Sequence, residues 1–164
     1  SRKIARIAPS WAKIWRNRSQ HKKLSFKKAL AEDTFFCKFK DIPLVLFPIS
    51  ITRFEALKAQ KELEKEGIRA SVIHQVWLKP YNFKDEWKNI LKSSKYGGIV
   101  LDDDYEDGIS KSLAHEMMLN TGKNVYTMGL EDKSAGFHPF VDNLPPSSKR
   151  IVKEVKKILG LIDE

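Results

Sequence analysis

The 164-residue chain has a single cysteine, Cys37. That excludes a disulfide framework within the chain and any zinc cluster built on several thiolates, and it fits a reducing compartment, so a cytoplasmic location is expected. No window approaches 18 consecutive apolar residues. The longest apolar runs, Ile42 to Ile49 and Gly98 to Leu101, are strand-sized, and no membrane-spanning helix is expected. Low-complexity segments and internal repeats are also missing. So are the usual chemistry-bearing motifs: G-x-G-x-x-G, G-x-x-x-x-G-K-[ST], G-x-S-x-G and H-E-x-x-H are all absent. A dinucleotide fingerprint, a phosphate-cradling loop, an acyl-transfer elbow and a zincin helix are thereby excluded as sequence signals.

What the chain does have is an uneven charge. Ten of its 30 Lys/Arg residues fall within residues 1–28, which hold no acid; the other 136 residues carry 20 basic and 21 acidic side chains. The net charge of +9 therefore belongs to the N-terminal arm, and the body is electrically ordinary. In that arm Arg2, Lys3, Arg6, Lys13, Arg16, Arg18, Lys22, Lys23, Lys27 and Lys28 are interleaved with Ile4, Ile7, Trp11, Ile14 and Trp15. The apolar spacing of three to four gives a helical stripe that Pro9 starts or kinks. Three readings of such an arm stand open. It is a linker packing its Trp and Ile residues on a neighbouring domain, a surface for nucleic acid or anionic membrane, or a transit-type targeting segment.

From residue 42 onward, short apolar runs alternate with helical patterns. Pro43 to Ile49 reads as a buried strand. Thr52 and Glu55 stand in capping-box spacing ahead of a helix over Thr52 to Glu66, which stops at Gly67. Ile68 to Val76 reads as a second strand, Phe83 to Ser94 as a helix built on Trp87, Ile90 and Leu91, and Gly98 to Leu101 as a third strand. An acid-rich loop over Asp102 to Asp107 follows. Next come a helix over Ile109 to Asn120 with Leu113, Met117 and Met118 inward, a strand over Asn124 to Met128, and a last helix capped by Ser147 or Ser148. Thr34 to Phe39 adds a short edge strand. The alternation predicts an α/β fold: three α/β/α layers around a mostly parallel five-stranded sheet, with residues 1–30 as an arm and 31–164 as the domain.

In an open parallel sheet ligands gather at the carboxyl ends of the strands. The segments to inspect are therefore Pro48 to Thr52, Trp77 to Asn82, Asp102 to Gly108 and Gly129 to Phe140. Five carboxylates in the six residues 102–107 are the one concentrated feature. Asp102, Asp103 and Asp104 offer the hard oxygens that Mg²⁺ prefers, as in receiver-type phosphoacceptor domains; the competing reading is a solvated helix N-terminus that welcomes acids. Ser50, His74, His138 and Cys37 form no recognisable nucleophile–base arrangement by sequence, and His115, on a helix, reads as a packing or surface histidine.

The order of the short motifs carries more than any one of them. "EALKAQKELEKEGI", "RASVIHQVWLKPYN", "YGGIVLDDDYEDGISKSLAHEM", "KNVYTMGLED" and "LPPSSKRIVKEVKKIL" follow one another in an order that resembles the C-terminal domain of transketolase-like thiamine-diphosphate enzymes. The beta subunit of the 2-oxo-acid dehydrogenases is nearest, with transketolase and deoxyxylulose-phosphate synthase further off. The resemblance covers residues 29 to 160 and rests on Leu63, Glu66, Gly67, Ile68, Leu78, Lys79, Pro80, Asn82, Asp102, Asp103, Gly108, Asp132, Pro145 and Ile151. Two departures stand out: Pro48-Ile49-Ser50 where the family usually has a glycine after its first strand, and Gly108 alone where paired glycines often precede the third helix.

The resemblance implies that thiamine diphosphate and its Mg²⁺ are bound in the full-length enzyme by a G-D-G motif and a downstream asparagine in another domain, and that this chain binds no cofactor and is not catalytic alone. It implies that residues 1–30 are an interdomain linker, with Ser1 at the end of a preceding domain. The implied partners are the remaining domains or subunits, in a homodimer or heterotetramer, and Ser50, Lys79, Asp102, Asp103 and His138 are the candidate ligand or interface positions. The alternative is a stand-alone α/β binding module whose arm contacts nucleic acid or membrane.

Overall fold

The computed structural model of the chain describes residues 42–133 and 143–162. Four strands and four helices alternate through them: β1 (Leu44–Pro48), α1 (Thr52–Lys65), β2 (Ala70–Val72), α2 (Asp85–Ser93), β3 (Gly98–Tyr105), α3 (Ile109–Thr121), β4 (Val125–Leu130) and α4 (Ser148–Ile158). The strands form one wholly parallel sheet of order β2-β1-β3-β4, so the α/β class is as expected. The described sheet has four strands rather than five. The expected edge strand at Thr34 to Phe39 lies outside the described residues, as do Cys37 and the arm at residues 1–30.

The strand order dictates where the helices lie. The chain leaves β1 for one neighbour, β2, and then returns past β1 to reach β3 on its other side, so right-handed crossovers place α1 on one face and α2 and α3 on the other. Two separate cores confirm it. Val45, Phe47, Ile73 and Val100 point to the face covered by Trp87 and Leu91 of α2 and Leu113, Ala114 and Met117 of α3. Leu44, Leu46, Val72, Ile99 and Leu101 point to the face covered by Ala56, Ala59 and Leu63 of α1 and Ile151 and Val155 of α4. Adjacent strand residues thus go to opposite layers, as the pleat requires. A run that is apolar at every position is what a strand buried on both faces needs. On the α2 face the rings of Phe47 and Phe83 meet edge-on at 6.2 Å, and Phe83 lies 6.4 Å from Trp87.

Several boundaries differ from the sequence expectation, each for a local reason. β2 is only three residues long, and beyond it the pairing survives as a single bridge between Ile49 and Gln75. β3 continues to Tyr105, so Asp102 to Asp104 lie on the strand and not in a loop; a register irregularity between Leu101 and Tyr105 lets the chain bend while still pairing with β4. Met118 is exposed, and Leu113 and Met117 alone keep the inward positions expected for the three. The capping box does not form. Ile51 is the N-cap of α1, and the Thr52 hydroxyl turns inward to the carbonyls of Ile49 (2.5 Å) and Leu101 (3.0 Å), tying the start of α1 to β3.

Glu55 is recruited elsewhere. Its carboxylate accepts the Ser148 backbone N–H at 2.8 Å, at the first residue of α4, and pairs with Lys58. Ser147 caps the same helix by accepting from the Arg150 N–H at 3.4 Å. The Lys58 bond first, and the Ser148 N–H second, hold the Glu55 carboxyl below its ordinary value. Glu55→Gln is expected to cost about 0.5–1.5 kcal/mol of stability at pH 7, the range for losing one charge-assisted helix cap. Since the native value is depressed, the wild-type advantage is complete above the ordinary value of 4.5 and fades as pH falls through the native one. Urea denaturation of both proteins at pH 7 and at pH 3 checks it.

Candidate functional site

The direction of the chain reverses at β1: β2 lies to one side, β3 to the other, and the helices that follow β1 and β3 cover opposite faces. That makes the crevice beyond the carboxyl ends of β1 and β3 the place where an open parallel sheet offers a site. Three segments meet there.

The first is the β1–α1 turn. Ser50 is the only described non-glycine residue with a positive φ, 51°. A side chain in this left-handed conformation costs roughly 1 kcal/mol or more and persists only where its surroundings impose it. What imposes it is visible on both sides. The Ser50 hydroxyl donates to Asp103 Oδ2 at 2.9 Å, across 53 residues of sequence, while the buried Thr52 hydroxyl anchors the next residues to β3.

The second segment is the end of β3. Asp102 is 2% exposed. Its Oδ1 accepts the Asp104 N–H at 3.2 Å, and its Oδ2 is buried without a hydrogen-bond partner. Burial pushes the Asp102 carboxyl above its ordinary value, and the neighbouring charges of Asp103 and Asp104 push the same way, against the pull of the Asp104 N–H. Asp103 is half-buried and takes the Ser50 hydroxyl; Asp104 is exposed and turns back to the Tyr105 N–H at 2.8 Å. Farther along, Glu106 accepts the Thr127 hydroxyl at 2.8 Å and Asp107 pairs with Lys111. β3 and β4 approach closely here: a Cβ on Gly129 would lie 2.6 Å from the Asp104 carbonyl oxygen, so a side chain at 129 would force these strands apart.

The third segment follows β2. His74 is half-buried, with its Nε2 enclosed and without a partner. Burial first, and the nearby Arg53 charge second, push the imidazole down from 6.5 to about 4, although a hydrogen bond to the Ser50 backbone pulls the other way. The ring is therefore neutral at pH 7. A histidine whose native value is depressed binds its proton more readily in the unfolded chain, so stability falls as pH drops from 6.5 towards 4. A proton NMR titration of the folded chain is expected to place the His74 midpoint about 4; a midpoint at the ordinary 6.5 contradicts the enclosure of the ring.

Of the positions named from the sequence, the structure joins Ser50 and Asp103, while Asp102 is buried beside them in the chain with its Oδ1 on the Asp104 N–H. Lys79 does not join them: it is exposed, in the turn with a cis peptide bond to Pro80, and no hydrogen bond or ion pair among the described residues links it to the crevice. His138 lies outside the described residues. His115 is exposed on α3. Asp102, Asp103 and Asp104 are engaged in different directions, and among the described residues no three His, Cys, Asp or Glu side chains are grouped to hold a metal ion.

Sequence reading missed two polar groups that shape this edge, the half-buried His74 and the buried Asn143. His74 lost its significance among residues without a motif, because its enclosure comes from long-range folding. Asn143 is 5% exposed and clamps the chain after β4, accepting the Glu131 N–H at 2.9 Å and donating to the carbonyls of Glu131 (3.1 Å) and Lys133 (2.8 Å). No pattern around Asn143 announces that role.

The same edge of the sheet exposes apolar surface. Ile51 is 58% exposed, Trp77 57% and Leu144 62%, with Phe54 and Val76 also in solvent and the Arg53 guanidinium 4.6 Å above the Phe54 ring. A shallow cavity of about 430 Å³ opens between α1 and the start of α4, lined chiefly by Ile51, Phe54, Pro145 and Pro146. No described helix is long and apolar enough to cross a membrane.

Comparison with known proteins is consistent with this architecture. No protein-family model and no curated protein matches the chain. Among solved structures it is similar to a split-gene transketolase, an inactive β4 tetramer, at 22% identity and a TM-score of 0.59, over 74% of this chain and 40% of that one. It is also similar to the 2-oxoglutarate:ferredoxin oxidoreductase of Magnetococcus marinus, solved with 2-oxoglutarate, coenzyme A and succinyl-CoA bound, at 17% identity and a TM-score of 0.55 over 75% of this chain. The chain spans 40% of the first protein's length and 19% of the second's. The described residues therefore have the α/β fold of a transketolase C-terminal-like domain.

Proposed function

We propose that this chain is the C-terminal, non-cofactor-binding domain of a thiamine-diphosphate-dependent enzyme of the transketolase or 2-oxo-acid dehydrogenase type, and that it serves dimerisation, subunit docking or regulatory-ligand binding. One observation carries the reading: the motif order that resembles this domain in the sequence folds into a parallel sheet similar to that of a transketolase chain. The apolar residues exposed at the carboxyl edge, Ile51, Phe54, Trp77 and Leu144, support a docking role, since large apolar side chains gathered at one edge lose contact with water when a neighbouring domain covers them. Ser50 and Asp103 bridge the switch-point crevice and are the positions proposed for a regulatory ligand. Thiamine diphosphate and Mg²⁺ belong, in this reading, to a G-D-G-bearing domain or subunit that docks with this one in a homodimer or heterotetramer in the cytoplasm. Residues 1–30 serve as the linker to it.

Titration calorimetry of thiamine diphosphate and Mg²⁺ into the full 164-residue chain is expected to give no binding. Micromolar affinity overturns the proposal. A second reading draws on the ten cations and absent acids of residues 1–28, interleaved with tryptophan and isoleucine: an arm that contacts nucleic acid or anionic membrane. A gel shift with duplex DNA at 50 and 200 mM salt separates the two. Phosphate neutralisation makes affinity fall by about 10³-fold or more over that range when six or more contacts form, whereas an interdomain linker gives little shift at either salt.

A further inference from the structure

We draw no further inference here: the strongest candidate, the exposed apolar patch at the carboxyl edge of the sheet where Ile51, Phe54 and Leu144 stand beside the shallow cavity between α1 and α4, carries nothing because no feature of the described residues shows what covers it.

Discussion

Replacing Asp102 with asparagine is expected to abolish the loss of stability that this buried carboxyl imposes as pH rises, because a neutral amide has no charge to desolvate at a position where one oxygen has no partner. The two side chains are nearly isosteric, and asparagine keeps the oxygen that accepts the Asp104 N–H. The sign of the pH dependence distinguishes this cause from a general improvement in packing. The native value of Asp102 is raised, so the unfolded chain releases this proton at a lower pH than the folded one. Wild-type stability therefore declines as pH rises from the ordinary carboxylate value of 3.8 through the raised native value, and the variant does not share that decline. The gap between the two proteins should be small near pH 4 and largest at pH 7. Urea denaturation across that range measures it, and a variant whose stability declines with rising pH as steeply as that of the wild type contradicts the assignment of the decline to Asp102.

The opposite change is expected at the other end of β3. Gly97 has φ 86°, and a Cβ there would lie 1.9 Å from the Asn124 carbonyl oxygen. That oxygen accepts the Gly98 N–H at 3.0 Å, while the Gly97 carbonyl accepts the Val45 N–H at 3.0 Å, so the residue stands where β1, β3 and the approach to β4 are laced together. Neither backbone segment can retreat without breaking its ladder. Gly97→Ala combines a left-handed backbone that disfavours a side chain with overpacking against main chain, and together these cost roughly 3–5 kcal/mol. Against an ordinary domain stability of about 5–15 kcal/mol, that removes a third or more of the margin in all but the most stable cases. Thermal denaturation followed by circular dichroism should show a drop in Tm well beyond 10 °C for a domain of this size. A shift within two degrees contradicts the register given for β3.

The layers of this fold were legible because periodicity reports burial. Leu44 to Phe47 are apolar at every position, as a strand covered on both faces must be, and Ala56, Ala59 and Leu63 mark the inner stripe of α1. Boundaries were less legible where tertiary contacts overrode local chemistry. Asp102 to Asp104 look like loop residues, yet β3 continues through them because it stays beside β4. Thr52 and Glu55 have capping-box spacing, but each finds a stronger partner in another element, Thr52 on β3 and Glu55 on α4. The crevice was half visible. The carboxylates were conspicuous and Ser50 fell in the first strand–helix turn, but the bond that joins Ser50 to Asp103 spans 53 residues and no local pattern encodes it. The burial that sets Asp102 and His74 apart from ordinary surface groups is likewise a property of the folded sheet.

In the proposed division of labour this domain supplies surface and a second polypeptide segment supplies the cofactor grip. The most direct test is to mix the chain with a G-D-G-bearing polypeptide of a transketolase-type enzyme and to follow the mixture by sedimentation velocity with thiamine diphosphate present. One complex containing both components, with the cofactor sedimenting in it and absent from the chain alone, is the expected result. Two species that sediment independently, with the cofactor travelling on this chain, would contradict the account.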